Sequence, residues 1–423
     1  MKRNPAFHAV HPEISVIPSR APSRVRPAAA AVGIHLSIGS VYAYSVWKTP
    51  IEELTGWRGG EIAMGFSLAI LFLGLSAGFL GAWIDRLGPK RSSLAAAILF
   101  GAGLAGAGLS IHHQWLWGYY LSYGALGGIG LGIGYVAPVA TLVRWFPDRR
   151  GFATGLATMG FGFGALLAGP LIARLNPVIG VPGTFYALAV LYSVIMTLSA
   201  VNLARPPADW PERFPPPPGS PNSAVTAAHD FPPRRALRSP AFLLLWLLFF
   251  LNICSGIALI SIASPLARDM TGMSLKAAAA MVGTMGLFNG LGRIGWSAAS
   301  DRLGRPLTWL LFFLLQIAAL LFLPHLSHPI AFQVAVYLII TCYGGGFATA
   351  PAFLGDLFGT RHLSALYGAL LTAWAAAGLA GPQLVTRMHA STGSYASVLT
   401  LFALSLTLGL VALTCLHFKQ KRF

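Results

Sequence analysis

The chain has 423 residues, of which 55% are apolar and only 10% charged, with a mean hydropathy of +0.67. Soluble domains carry roughly 25% charged residues, so an ordinary soluble enzyme is excluded. The formal net charge of +17 does not indicate a nucleic-acid binder, because the cations lie in short runs between long apolar segments, as membrane loops do.

Residues 1–26 hold Lys2, Arg3, Arg20, Arg24 and Arg26 against one acid, Glu13. No small-residue cleavage site precedes the first apolar run, so they read as a retained cytoplasmic tail rather than a presequence. Runs long enough to cross a ~30 Å hydrocarbon core then recur twelve times. They lie near 27–49, 61–84, 92–111, 117–143, 152–175 and 185–203, and resume near 241–264, 277–299, 307–324, 330–354, 364–388 and 396–416. With no water in the bilayer each run must satisfy its own backbone, which predicts a helix for each. Between the two sets, residues 205–240 carry Pro206, Pro207, Pro211, Pro215, Pro216, Pro217, Pro218, Pro221, Pro232, Pro233 and Pro240 and predict a semi-rigid or disordered linker. The expected organisation is an all-α membrane protein of twelve transmembrane helices. A tail (1–26), a six-helix bundle (27–204), the linker (205–240), a second six-helix bundle (241–416) and a tail (417–423) follow one another.

Charge sets the orientation. With loops assigned alternately, the side bearing both termini and the linker collects 22 of the 29 Lys and Arg, whereas the other collects six: Lys48, Arg58, Arg174, Arg268, Lys276 and Arg387. The positive-inside rule makes both termini cytoplasmic and predicts a multi-pass protein of the cell's inner (plasma) membrane. Trp47, Trp57, Trp115, Trp117, Trp145, Trp246 and Trp309 fall near predicted helix ends, where an amphipathic indole prefers to sit. Cys254, Cys342 and Cys415 lie far apart within apolar segments and read as hydrophobic filler, without disulfide or metal spacing.

The halves repeat each other. Asp85-Arg86-Leu87-Gly88 returns as Asp301-Arg302-Leu303-Gly304, and Pro138, Phe146 and Gly169-Pro170 have echoes at Pro351, Phe358 and Gly381-Pro382. A repeat in the same direction predicts two bundles related by an axis along the membrane normal, with substrate bound between them near the midplane. The loop Gly81-Ala-Trp-Ile-Asp85-Arg86-Leu-Gly88-Pro-Lys90-Arg91 resembles the signature Gly-x-x-x-Asp-Arg-x-Gly-x-Arg/Lys of the major facilitator superfamily. A carboxylate at this turn can meet a neighbouring helix N-terminus and the loop's own cations, so Asp85, Arg86, Asp301 and Arg302 are expected to form a conformational latch.

Four further stretches carry a sharper resemblance: Gly39-Ser-Val-Tyr42; Gly134-Tyr135 leading to Arg144-Trp-Phe-Pro-Asp-Arg-Arg-Gly151; Leu287-Phe-Asn-Gly-Leu-Gly-Arg293 with Trp296 and Ser300-Asp301; and Asp356-Leu-Phe-Gly-Thr360 followed by Tyr367-Gly368. Together they look like the oxalate–formate antiporter family, bacterial carboxylate transporters. The residues point the same way independently. Arg293 is the only charge placed inside a span, eight residues or about 12 Å from Asp301. Uncompensated, it costs at least ~2.5–3.5 kcal/mol there. Gly286, Asn289, Gly290, Arg293, Trp296 and Ser297 share one helix face, and Leu287, Leu291, Ile294 and Ala298 the other, so Arg293 is expected to face the bundle rather than snorkel. No acid lies in any span, and a guanidinium fork without a counter-ion suits an anionic carboxylate. The resemblance implies the same role for this arginine. Gly290-Leu-Gly292-Arg-Ile-Gly295 matches a dinucleotide fingerprint, but no strand precedes it, and its glycines read as helix packing.

The resemblance also implies an aromatic cage of Tyr42, Tyr135, Tyr343 and Phe347. It places Trp374 where the family's oxalate-transporting member carries a lysine. One cation beside an indole suits a monocarboxylate; the plainer reading of Trp374 is packing. His35, seven residues before Tyr42, suits proton coupling, or simply helix packing. The expected function is secondary active transport of small organic anions, carboxylates and chiefly monocarboxylates, by alternating access and anion exchange. A proton-coupled monocarboxylate symporter and a non-transporting membrane sensor are the alternatives. No paired carboxylates, nucleophile–base set or metal cluster speaks for an enzyme. The expected partners are a small carboxylate and the lipid bilayer, with no nucleic acid, cofactor or metal and a monomeric carrier.

Overall fold

Apolar segments that must close their hydrogen bonds internally make helices, and helices account for all the regular structure among the described residues. The computed structural model describes residues 23–215 and 230–420. Lys2, Arg3, Glu13, Arg20, Pro216, Pro217, Pro218, Pro221 and residues 421–423 fall outside the described residues. In chain order the helices are α1 (Val25–Gly39), α2 (Tyr44–Thr55), α3 (Gly59–Leu87), α4 (Pro89–His112), α5 (Leu116–Trp145), α6 (Arg150–Asn202), α7 (Trp210–Arg213), α8 (Pro233–Leu237), α9 (Pro240–Thr271), α10 (Leu275–Leu303), α11 (Arg305–Phe322), α12 (Pro329–Phe358), α13 (Leu363–Thr392) and α14 (Tyr395–Gln420).

Nine of these are long and apolar enough to cross a membrane, or ten if the pair at α1 and α2, bent by 54° around the 3-10 turn Ser40–Ala43, counts as one span. The chain is a multi-pass membrane protein. At 53 residues α6 measures about 80 Å, far beyond one hydrocarbon core. It breaks at Gly180, whose φ of 70° and ψ of 171° no helix accommodates. α10, with Asn289 and Arg293 on it, is not among the nine.

The sequence repeat is also a repeat of geometry. α3 ends at Gly88 with φ 82°, and α10 ends at Gly304 with φ 83°, a region that favours glycine. Each glycine turns the chain into a helix that opens with a proline in its first turn, α4 and α11.

The halves meet along two seams of small residues. On α3, a Cβ at Gly81 would lie 2.5 Å from the Ser364 carbonyl oxygen and 2.7 Å from Ala365 Cα, while one at Gly368 would strike the Ala77 carbonyl. On α6, a Cβ at Gly155 would strike Ser297 Oγ and approach the Arg293 carbonyl of α10 at 2.7 Å. Backbones this close carry side chains of one half directly against the other.

Two expectations change. The described flanks of the linker are packed rather than loose. Trp210 is buried and donates to the Trp145 carbonyl at 2.8 Å, and Arg24 stacks 3.8 Å over Phe214 while pairing with Asp148 at 2.9 Å. Phe231 donates its N–H to the Phe358 carbonyl at 3.1 Å. Aromatic side chains within the proline-rich stretch supply the buried surface that prolines alone lack. The tryptophans also divide. Trp115 and Trp117 are exposed as an interfacial belt requires, but Trp47, Trp145 and Trp309 are buried, Trp47 stacking 4.0 Å from Phe185.

Candidate functional site

Arg293 is fully buried at the middle of α10. Its Nε donates to Asn289 Oδ1, one helical turn earlier, at 3.1 Å. Its Nη1 donates to the Tyr135 hydroxyl of α5 at 3.1 Å and to the Thr158 carbonyl of α6 at 3.3 Å. Nη2 has no hydrogen-bond partner among the described residues. A guanidinium carries five N–H donors, so both hydrogens on Nη2 remain unanswered, and no carboxylate touches the group. Its faces are covered by Phe347 at 4.9 Å and Phe161 at 5.7 Å, which offer the charge their π-electrons but no acceptor lone pair. A buried cation left in this state favours any anion that can reach it.

Tyr135 is the hub of the surrounding aromatics. Its ring lies 5.1 Å from His35 on α1, 5.1 Å from Phe161, 5.6 Å from Trp374 on α13 and 6.5 Å from Phe347 on α12. Trp374 is fully buried, 4.7 Å from Phe347, and its Nε1 has no acceptor among the described residues. His35 donates from Nδ1 to the Ala31 carbonyl at 3.1 Å, which leaves the Nε2 lone pair as an acceptor without a partner among the described residues. The cluster therefore contains unanswered donors on Arg293 and Trp374 and an unanswered acceptor on His35. It can hold a small anion by one oxygen edge and exclude water from the rest.

Arg293, Asn289, Tyr135, Phe347, Trp374 and His35 come together in this one cluster. Tyr42 and Tyr343 stand at its edge, reached through Phe161 at 5.0 Å and Phe347 at 5.3 Å respectively. Thr158, Phe161 and Tyr367, whose ring lies 6.2 Å from that of Tyr135, join the cluster beyond the residues expected from the sequence. Thr158 contributes a backbone carbonyl, which no sequence pattern marks.

At the basic end of the bundle the halves are tied shut. Asp301 accepts the N–H groups of Gly151 and Phe152, at the start of α6, at 2.8 Å each, and pairs with Arg305 at 2.8 Å. Asp85 does the same for α13, accepting from Ala365 N–H at 3.1 Å and pairing with Arg144 at 2.8 Å. Each carboxylate thus caps a helix of the opposite half. Arg144 reaches across to the carbonyls of Thr360 and Arg361 at 3.0 and 3.1 Å, and Asp356 bridges Arg150 and Arg305 at 2.9 and 3.0 Å. Arg86 and Arg302 are exposed and enter no ion pair among the described residues. The cations in contact with the two aspartates are Arg144 and Arg305.

The family model described as Major Facilitator Superfamily matches residues 30–382. The oxalate:formate antiporter of Oxalobacter formigenes is 28% identical over 81% of this chain and 79% of its own length. Apicoplast pyruvate carrier 1 of Toxoplasma gondii is 28% identical over 82% of this chain and 74% of its own length. Among solved structures, the transporter FucP in its outward conformation superposes with a TM-score of 0.70 at 15% identity, covering 93% of this chain and 99% of that one, a likeness of fold alone.

Proposed function

Because the chain belongs to the Major Facilitator Superfamily, a family of transporters and not of enzymes, we propose that it carries small carboxylates, chiefly monocarboxylates, by alternating access and exchange. The Nη2 of Arg293, without a hydrogen-bond partner among the described residues, carries this reading: a carboxylate oxygen pair matches a guanidinium edge, and the surrounding aromatic rings offer apolar contact to a short remainder. Asn289 orients the arginine, the Tyr135 hydroxyl holds Nη1, and Phe347, Trp374, Tyr42 and Tyr343 form the cage. The names of the two relatives, an oxalate:formate antiporter and a pyruvate carrier, support the substrate class.

Twelve spans follow when α1 with α2 is one, α6 is two legs joined at Gly180, and α10 joins the set. They divide into bundles 27–204 and 241–416 about the linker 205–240. Both termini are cytoplasmic, in the inner (plasma) membrane, and the carrier is monomeric. Asp85 and Asp301 latch the cytoplasmic side, with Arg86 and Arg302 as exposed members of the same turns. An empty carrier would have to reorient with Arg293 uncompensated, so exchange is favoured over uniport.

Counterflow in proteoliposomes against formate, pyruvate, lactate, oxalate and malonate tests the reading, with monocarboxylates expected to exchange fastest. Equally fast tracer efflux with and without external substrate would refute exchange. The Nε2 of His35, without a partner among the described residues and beside Tyr135, supports a second reading, proton-coupled symport. That reading requires uptake driven by a pH gradient and lost in His35→Ala.

A further inference from the structure

A cavity of about 500 Å³ opens at the basic end, well away from Arg293, between the two halves. Asp85, Arg86, Arg144, Arg205, Arg361 and His362 line it. We propose that this cleft binds a phosphate-bearing anion that holds the basic end shut.

Four guanidinium groups share the cleft with one carboxylate, Asp85, which already accepts from Ala365 N–H and pairs with Arg144. Arg205 donates to the main-chain carbonyl of Asp85. Arg86 and Arg361 are exposed and in no ion pair among the described residues. Most described acids at this end are already engaged; Glu212 is exposed and in no ion pair among the described residues. Asp148 pairs with Arg24 and Arg149, Asp209 with Arg213, and Asp301 and Asp356 with Arg305 at the other seam. The Asp230 carboxylate accepts the backbone N–H of Arg361. Closing this end therefore brings cations of both halves together in excess of the one carboxylate that lines the cleft, and an anion from outside the chain can relieve them. Phosphate answers several arginine forks at once through its oxygens.

Arg86 and Arg144 come from the first half, Arg205 from the start of the linker, and Arg361 and His362 from the second half. The complete ring of donors exists only while the halves are together, so the anion binds the closed form better and shifts the population toward it. Exposed Ala82 lines the cleft and Trp83, also exposed, adjoins it, which gives a lipid headgroup a route in as well as a free phosphate. This inference does not depend on the carboxylate reading.

The test uses the full-length carrier in two arms. In neutral detergent, pyrophosphate binding is measured by calorimetry and by thermal shift. In nanodiscs, phosphatidylcholine with and without phosphatidylglycerol is compared by thermal shift. Stabilisation by pyrophosphate identifies a free phosphate as a sufficient ligand, and stabilisation by phosphatidylglycerol alone identifies the headgroup; either supports the site. Arg361→Gln and, separately, Arg86→Gln are each expected to weaken the response about tenfold, while Arg387→Gln at the other end leaves it intact. Stabilisation by neither anion, or a response unchanged in both Arg361→Gln and Arg86→Gln, overturns the proposal.

Discussion

Replacing Asp301 by Asn isolates one tie between the halves. The carboxylate accepts two N–H bonds at 2.8 Å from Gly151 and Phe152, and its side chain is 11% exposed, so solvent does little to screen the loss. Its pair with Arg305 lies within the second half, persists when the halves separate, and does not bias the equilibrium. Only the two crossing bonds do. An amide retains one acceptor oxygen and no charge, which removes one bond and weakens the other. With a bond to a charged group worth about 1.5–3 kcal/mol, the net loss is about 2 kcal/mol, or about 30-fold in the closed-to-open ratio. Ser364, buried in the seam between α3 and α13, reports that ratio. In a background with the three native cysteines replaced by alanine, a Ser364→Cys thiol reacts with maleimide only when the seam opens. Its labelling rate follows even a minor open population. Asp301→Asn is expected to raise that rate about 30-fold. An unchanged rate would show that capping of α6 by Asp301 does not hold the halves together.

Further outcomes are expected at the candidate site and the seams. Tyr135→Phe removes one of the two acceptors of Arg293 Nη1, and the half-saturation concentration for exchanged carboxylate should rise about tenfold in counterflow; an unchanged value separates Tyr135 from binding. Trp374→Lys supplies a second cation and should move preference toward oxalate and malonate; unchanged mono- versus dicarboxylate selectivity rejects Trp374 as the determinant. Gly368→Val places side-chain atoms against the Ala77 carbonyl, so the protein should insert normally but label rapidly in the Ser364→Cys assay. Slow labelling would mean that the seam yields by repacking.

What is legible from a sequence here is what one helix encodes. Arg293 and Asn289 stand four residues apart on a polar face, and their 3.1 Å bond follows from helical spacing. Asp85 and Asp301 are marked by their repeated turn, and each meets a helix N-terminus. The partners that come from other helices are hidden, because nothing local distinguishes them. Thr158 offers only its backbone, Phe161 sits in a glycine-rich stretch with no pattern of its own, and Arg144, Arg150, Arg305 and Asp356 look like ordinary loop charges until the fold brings them together. Buried Trp145 and Trp309 fail for the opposite reason. An indole near a helix end satisfies the interfacial pattern whether it faces lipid or a neighbouring helix, and only tertiary packing decides.

Arg144 and Asp356 occupy matching places in the two halves, 212 residues apart, with opposite sign. One sends a cation across to carbonyl oxygens, whereas the other sends an anion across to Arg150. Two copies of the first half would face each other without the acid that Arg150 meets, and two copies of the second without the Arg150 that reaches across to Asp356. At this pair of positions the repeat is complementary rather than identical: each half supplies the charge that the matching place in the other does not.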